Sequence, residues 1–184
     1  LAPAQAVTTT WIAAGGGNWE VAANWSAGVP QALDLVVVAP LTRPVSSVVI
    51  NTPTTIAGLT LANVNMRVAA GLTVTGGVAW DETTALPGVL TFSNGSTVQF
   101  QGQLTLTGNA SKAVNNVGLL DLSGPTFWMG NTQANGNTLA AGATTTGSVI
   151  RSRGTFFDAN GFDASISGRG AFDNQGSYVK TGAS

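Results

Sequence analysis

The sequence predicts an all-β chain built as a parallel solenoid of short strands with a tryptophan-rich N-terminal cap. Three observations predict it. A Leu-x-apolar triplet recurs as Leu59-Thr60-Leu61, Leu72-Thr73-Val74, Leu90-Thr91-Phe92, Leu104-Thr105-Leu106 and Leu120-Asp121-Leu122. Each triplet has the in-out-in alternation of a half-buried strand and is soon broken by Gly, Asn or Pro. No segment repeats apolar residues at i, i+3, i+4 and i+7 over three turns, so no amphipathic helix is expected. Charged residues make up only 8% of the 184 residues. Stacking like charges in register is costly, whereas Thr, Ser and Asn can stack and hydrogen-bond in ladders. Sandwich strands of about 5–6 residues joined by hairpin turns fit less well, because these apolar triplets recur at coil-like intervals.

Residues 1–45 read as the cap segment and 46–184 as the coils. Trp11, Trp19 and Trp25 crowd the first part. A solenoid end exposes strand edges and core, and large rings cover such an end well. The β-branched runs Val36–Val38 and Val48–Ile50 would open the coils. Ala22–Trp25 and Ala134–Ala141 are the least strand-like stretches. The segment 131–146 has no strand-like apolar pair and is expected to leave the coil as a loop.

The chain contains no Cys and no His, and carries 7 basic and 8 acidic residues. That excludes Cys/His metal sites, thiol nucleophiles and Ser-His-Asp triads. The balanced charge predicts no nucleic-acid partner. No apolar run reaches about 18 residues, which predicts no membrane insertion by a helix. Small residues at Ala4 and Ala6 look like the tail of a cleaved secretory signal.

Two segments carry a resemblance. Trp11 to Val38, with Trp19, Asn24-Trp25, Val29-Pro30 and Asp34 before the β-branched run, resembles the opening of many bacterial secreted β-helix proteins. Gly154 to Ala183, with Asp158-x-Asn160-Gly161-x-Asp163, Ile166-Ser-Gly168-x-Gly170 and Lys180-Thr-Gly182-Ala, resembles the autotransporter-associated β-strand repeat of adhesin-like passenger domains. The resemblance implies a right-handed parallel β-helix exported to the surface of a bacterium. It implies no particular activity.

Candidate sites are few. Asp158, Asn160 and Asp163 place three oxygen ligands around a tight turn, as calcium would require. The competing reading is an Asx-type corner with Asn160-Gly161 at its tip. Asp121, Asp158, Asp163 and Asp173 could form an acid pair across coils about 4.8 Å apart, with Arg151, Arg153 and Arg169 nearby. Surface ion pairs would explain the same residues. Asp81 and Glu82 are adjacent and point opposite ways on an extended chain, so they are not such a pair by themselves. Trp128, within Phe127-Trp128-Met129, and Trp80 are candidates for stacking on a glycan, although such a cluster is more often core or covers a coil edge. Regular threonine ladders can bind ice, and Thr60, Thr73, Thr91 and Thr105 would suit this if they stacked, but they are scattered over unequal coils and the flat two-column array is absent. The N-x-[ST] sequons at Asn24, Asn94 and Asn109 arise easily by chance in such a composition.

The expected function is a non-catalytic structural module of a secreted bacterial surface or matrix protein. It would be a filament subunit that self-associates end to end, or a stalk whose neighbouring coils belong to a longer chain. The alternative is a glycan-binding or glycan-cleaving β-helix.

Overall fold

The computed structural model describes residues 5–39, 47–82, 88–93, 95–108, 110–129, 138–141, 147–160 and 165–181. These residues form short strands, arranged in three parallel sheets, and one 3-10 turn at Ala22–Asn24. The first sheet stacks Thr8–Thr10, Leu35–Val38, Gly58–Ala62, Val78–Asp81, Leu104–Thr107, Thr126–Trp128, Thr155–Asp158 and Ser177–Lys180. The second stacks Gly17–Asn18, Val48–Ile50, Asn65–Val68, Gly88–Phe92, Lys112–Asn115, Thr138–Ala141 and Ser165–Ser167. The third stacks Thr54–Ile56, Gly71–Val74, Thr97–Phe100, Gly118–Leu122, Ser148–Ser152 and Ala171–Asn174. The chain visits the sheets in turn, one full circuit per coil, which is a parallel β-helix.

The recurring triplets are the rungs of this structure. Leu59–Leu61 and Leu104–Leu106 lie in the first sheet, Leu72–Val74 and Leu120–Leu122 in the third, and Leu90–Phe92 in the second. Their uneven spacing follows, because consecutive triplets sit on different walls. Register aligns their inward residues in columns. One column of the first sheet runs Val36, Leu59, Val78, Leu104, Thr126 and Phe156. Another runs Val38, Leu61, Trp80, Leu106 and Trp128. The apolar members of both are buried in one continuous core. Each such side chain contributes roughly 1.5–3 kcal/mol when fully removed from water.

One corner has a strict backbone requirement. Gly76, Gly102, Gly124, Gly154 and Gly176 stack where the third sheet turns into the first. A Cβ on any of the last four would collide with the backbone of the glycine one coil below. The coils therefore approach there more closely than a side chain allows. Gly76 itself donates its N–H to the Ala57 carbonyl at 2.7 Å.

The three N-terminal tryptophans are buried together. Trp25 lies edge-on to Trp11 and to Trp19, with ring centroids 5.0 and 4.6 Å apart, and its Nε1 donates to the Trp19 carbonyl at 2.7 Å. Two carboxylates fasten this layer to its neighbouring segments. Glu20 accepts from the backbone N–H of Asn51 and Thr52 at 2.6 and 2.9 Å. Asp34 accepts from the N–H of Val7 and Gln31 at 3.1 and 2.7 Å. Strands before residue 46 already belong to the first and second sheets, so the cap is continuous with the coils.

The structure corrects the expectation of a loop over 131–146. Thr138–Ala141 is a strand of the second sheet, paired on both sides. Leu139 and Ala141 point inward and are buried. Its alanines give no strand signal alone; the neighbouring strands impose the conformation. The remainder of 131–146 lies outside the described residues. Ala22–Asn24 is non-strand, as expected.

Gly124→Ala should lower stability by about 3 kcal/mol through overpacking against backbone. Gly71→Ala, where the nearest atom to an added Cβ is 3.5 Å away, should be near neutral. Urea denaturation of the two variants beside the parent tests this.

Candidate functional site

The C-terminal coils hold most of the ionisable groups. In the first sheet, the inward column that carries Trp80 and Trp128 continues with Asp158 and then Lys180. Asp158 is 1% exposed. Its Oδ1 accepts from the backbone N–H of Asn160 at 3.1 Å and from Asn160 Nδ2 at 2.8 Å. Its Oδ2 accepts from the Tyr178 hydroxyl at 2.8 Å and from Lys180 Nζ at 3.1 Å. Lys180 Nζ also donates to the Asn160 carbonyl at 3.2 Å. Burial opposes charge on Asp158, but hydrogen bonds from Tyr178, Asn160 and Lys180 outweigh it and hold the carboxyl below its ordinary range. Burial and the bond to Asp158 push the Tyr178 hydroxyl up to about 12.

This knot bears on the calcium reading. Asp158 and Asn160 are brought together, while Asp163 lies outside the described residues. The backbone bond from Asn160 to Asp158 is an Asx turn. Both Asp158 oxygens already receive donors, and the cation beside them is the Lys180 ammonium. Among the described residues, no three Asp, Glu, His or Cys side chains are grouped as a metal site.

The proposed acid pairs do not converge among the described residues. Asp121, Arg151 and Asp173 are register neighbours on the outer face of the third sheet. Arg151 pairs with Asp173 at 2.8 Å and Arg153 with Asp121 at 2.9 Å. A guanidinium thus stands between the two carboxylates, and Asp158 faces inward from another wall. Asp81 and Glu82 differ as expected: Glu82 is buried and accepts from Trp80 Nε1 at 2.9 Å.

The tryptophan reading is corrected. Trp80 and Trp128 are both 0% exposed, so neither can stack on a glycan. The period of two that brings Trp128 inward turns Phe127 outward. There Phe127 stacks on Phe157 of the next coil, centroids 4.8 Å apart and planes 8° from parallel. Phe157 was not a sequence candidate, because loops of unequal length hide the register that pairs it with Phe127. A shallow groove of about 540 Å³ runs along the same wall nearer the N-terminus, over Leu35, Val37, Thr60, Ala79 and Thr105.

The threonines are scattered over three walls. Thr60 and Thr105 share the first sheet with Ala79 between them. Thr73 lies in the third sheet and Thr91 in the second. At the sequons, Asn24 donates from Nδ2 to the Asn18 carbonyl at 2.9 Å; Asn94 and Asn109 lie outside the described residues.

Comparison with protein-family models, curated proteins and solved structures found no match.

Tyr178 is the sole tyrosine, so its ionisation is readable by ultraviolet absorbance. The tyrosinate transition should fall near pH 12 and move toward 10 in Asp158→Asn. A parental transition near 10 would mean that the hydrogen bond to Asp158 is absent. The sign for stability follows from linkage. The Asp158 contribution is present above its ordinary value of 3.8 and is lost as pH falls through the lower folded value. The Tyr178 contribution is present below 10 and is lost as pH rises through about 12.

Proposed function

We propose that this chain is a non-catalytic structural segment of a bacterial surface or matrix protein, a stiff β-helical rod displayed outside the cell. The observation that carries the reading is the stack of parallel rungs on three walls around one continuous core, whose rungs at 165–180 are open on one side among the described residues. Ser165–Ser167, Ala171–Asn174 and Ser177–Lys180 each have a strand partner on one side only among the described residues. Phe172, in an inward column below Ile150, is only partly buried, and Tyr178 is 44% exposed. A further layer stacked on this face would bury both rings and complete three sheet edges. Neighbouring coils of a longer chain, as in an adhesin or passenger stalk, or a second copy, as in a head-to-tail filament, would supply such a layer. Export to a bacterial surface rests on the resemblance of the Trp11–Val38 and Gly154–Ala183 segments.

Negative-stain electron microscopy of the purified chain tests this reading. Filaments with a regular axial repeat assign the layer to a second copy. Uniform short rods assign it to a longer stalk. Rounded particles with no long axis would overturn the rod.

The outward Phe127–Phe157 stack favours glycan binding as a second reading, since parallel rings on a β-helix wall can receive the faces of sugar rings. Retention on immobilised polysaccharides should then be lost in Phe127→Ala/Phe157→Ala and kept in Val37→Ala. Equal retention of the double variant and the parent would remove this reading.

A further inference from the structure

A second group of charges lies at mid-length, inside the core. Lys112 occupies an inward position of the second sheet, in register between Gly88 and Leu139, and is 0% exposed. Glu82 is also 0% exposed. Three observations place the two side chains in one corner. The Glu82 carboxylate fills the space that a Cβ on Gly88 would need, and Gly88 is the register neighbour of Lys112. Ala110 donates its N–H to the Glu82 carbonyl at 2.9 Å. The carbonyl of Ala110 accepts from Lys112 Nζ at 3.2 Å. The ammonium therefore folds back over the residue that sits on Glu82. Trp80 closes the corner and donates Nε1–H to Glu82 Oε1 at 2.9 Å. Asp81 follows Trp80, and its Oδ1 is buried without a hydrogen-bond partner.

A buried lysine and glutamate have two ways to satisfy this site. One is an ion pair, whose desolvation cost rivals its attraction. The other is proton transfer from the ammonium to the carboxylate, which leaves a neutral amine beside a carboxylic acid. Burial brings the Lys112 amine down to about 8, against the opposing charges of Glu82 and Asp81, so a neutral amine is accessible near neutral pH. The neutral pair is the reactive one. Two groups held in such a corner react with effective molarities of about 10⁵–10⁸ M when well aligned.

We propose that Lys112 and Glu82 are joined by an intramolecular amide bond between Nζ and Cδ. The neutral Lys112 amine attacks the Glu82 carboxyl carbon. The Trp80 N–H steadies the developing charge on Oε1. The surplus amine proton passes to the departing hydroxyl. The carboxyl C–O bond breaks, the C–N bond forms, and one water leaves. No oxidant, reductant or cofactor takes part. The product removes two buried charges and ties the first sheet to the second across a coil, in a chain that has no cysteine for a disulfide.

Intact-mass spectrometry of the whole purified chain tests this directly. The expected mass is one water below that of the sequence. Proteolysis should release a branched peptide joining the segments around residues 82 and 112, and Lys112 should resist acetylation after denaturation. In Glu82→Gln the same attack would expel ammonia, so the mass loss becomes one ammonia. In Lys112→Arg no loss should occur. A parent of full sequence mass, with Lys112 freely acetylated once unfolded, overturns the proposal whether or not the variants fold.

Discussion

In-register stacking is the constraint on which the rest of this structure depends. Every inward side chain must fit the side chain one coil below, because parallel pairing gives each residue a fixed partner. The column Val38, Leu61, Trp80, Leu106 and Trp128 meets that demand with apolar groups of unequal size that fill the interior between three walls. Outward positions obey it with charge: Asp121, Arg151 and Asp173 alternate in sign down the third sheet, so that stacking brings attraction instead of repulsion.

Among the described residues, two clusters of ionisable groups stand at inward positions, each with its own kind of partner. Near the C-terminal face, Asp158 takes donors from its own turn and from the next coil, so the knot binds adjacent layers together. At mid-length, Lys112 and Glu82 are farther from solvent and share a corner closed by Trp80. The tryptophans thus do two jobs. Trp11, Trp19 and Trp25 cover the first layer, whereas Trp80 also supplies a directed N–H.

Much of the fold was legible in the sequence. The in-out-in triplets named strands on all three walls, and the crowded N-terminal tryptophans named the cap. The site was less so. Whether Trp128 and Trp80 face the core or a glycan is open in the sequence, because a single residue does not reveal its phase; the alternation that buries Leu104 and Leu106 sets Trp128 inward through register. Thr138–Ala141 gives no strand signal in the sequence because its alanines carry no strand preference of their own. Yet one strong signal was available. Val74, Phe100, Leu122, Ser152 and Asn174 are each followed two residues later by a glycine of the stacked corner. Reading that offset first would have fixed the phase of every coil, and with it the partners Phe127–Phe157 and Asp158–Lys180.

The glycine corner also makes the β-helix one-sided. From Val74 to Val78, Phe100 to Leu104, Leu122 to Thr126, Ser152 to Phe156 and Asn174 to Tyr178, the chain crosses this corner in the same number of residues each time. Differences in coil length must therefore be absorbed at the other two corners. One edge of the β-helix is a smooth seam of bare backbone, closed to insertion. The opposite edges are free to vary in length and sequence without disturbing the register. A lineage that needed new contacts would acquire them there, while the seam kept the pitch.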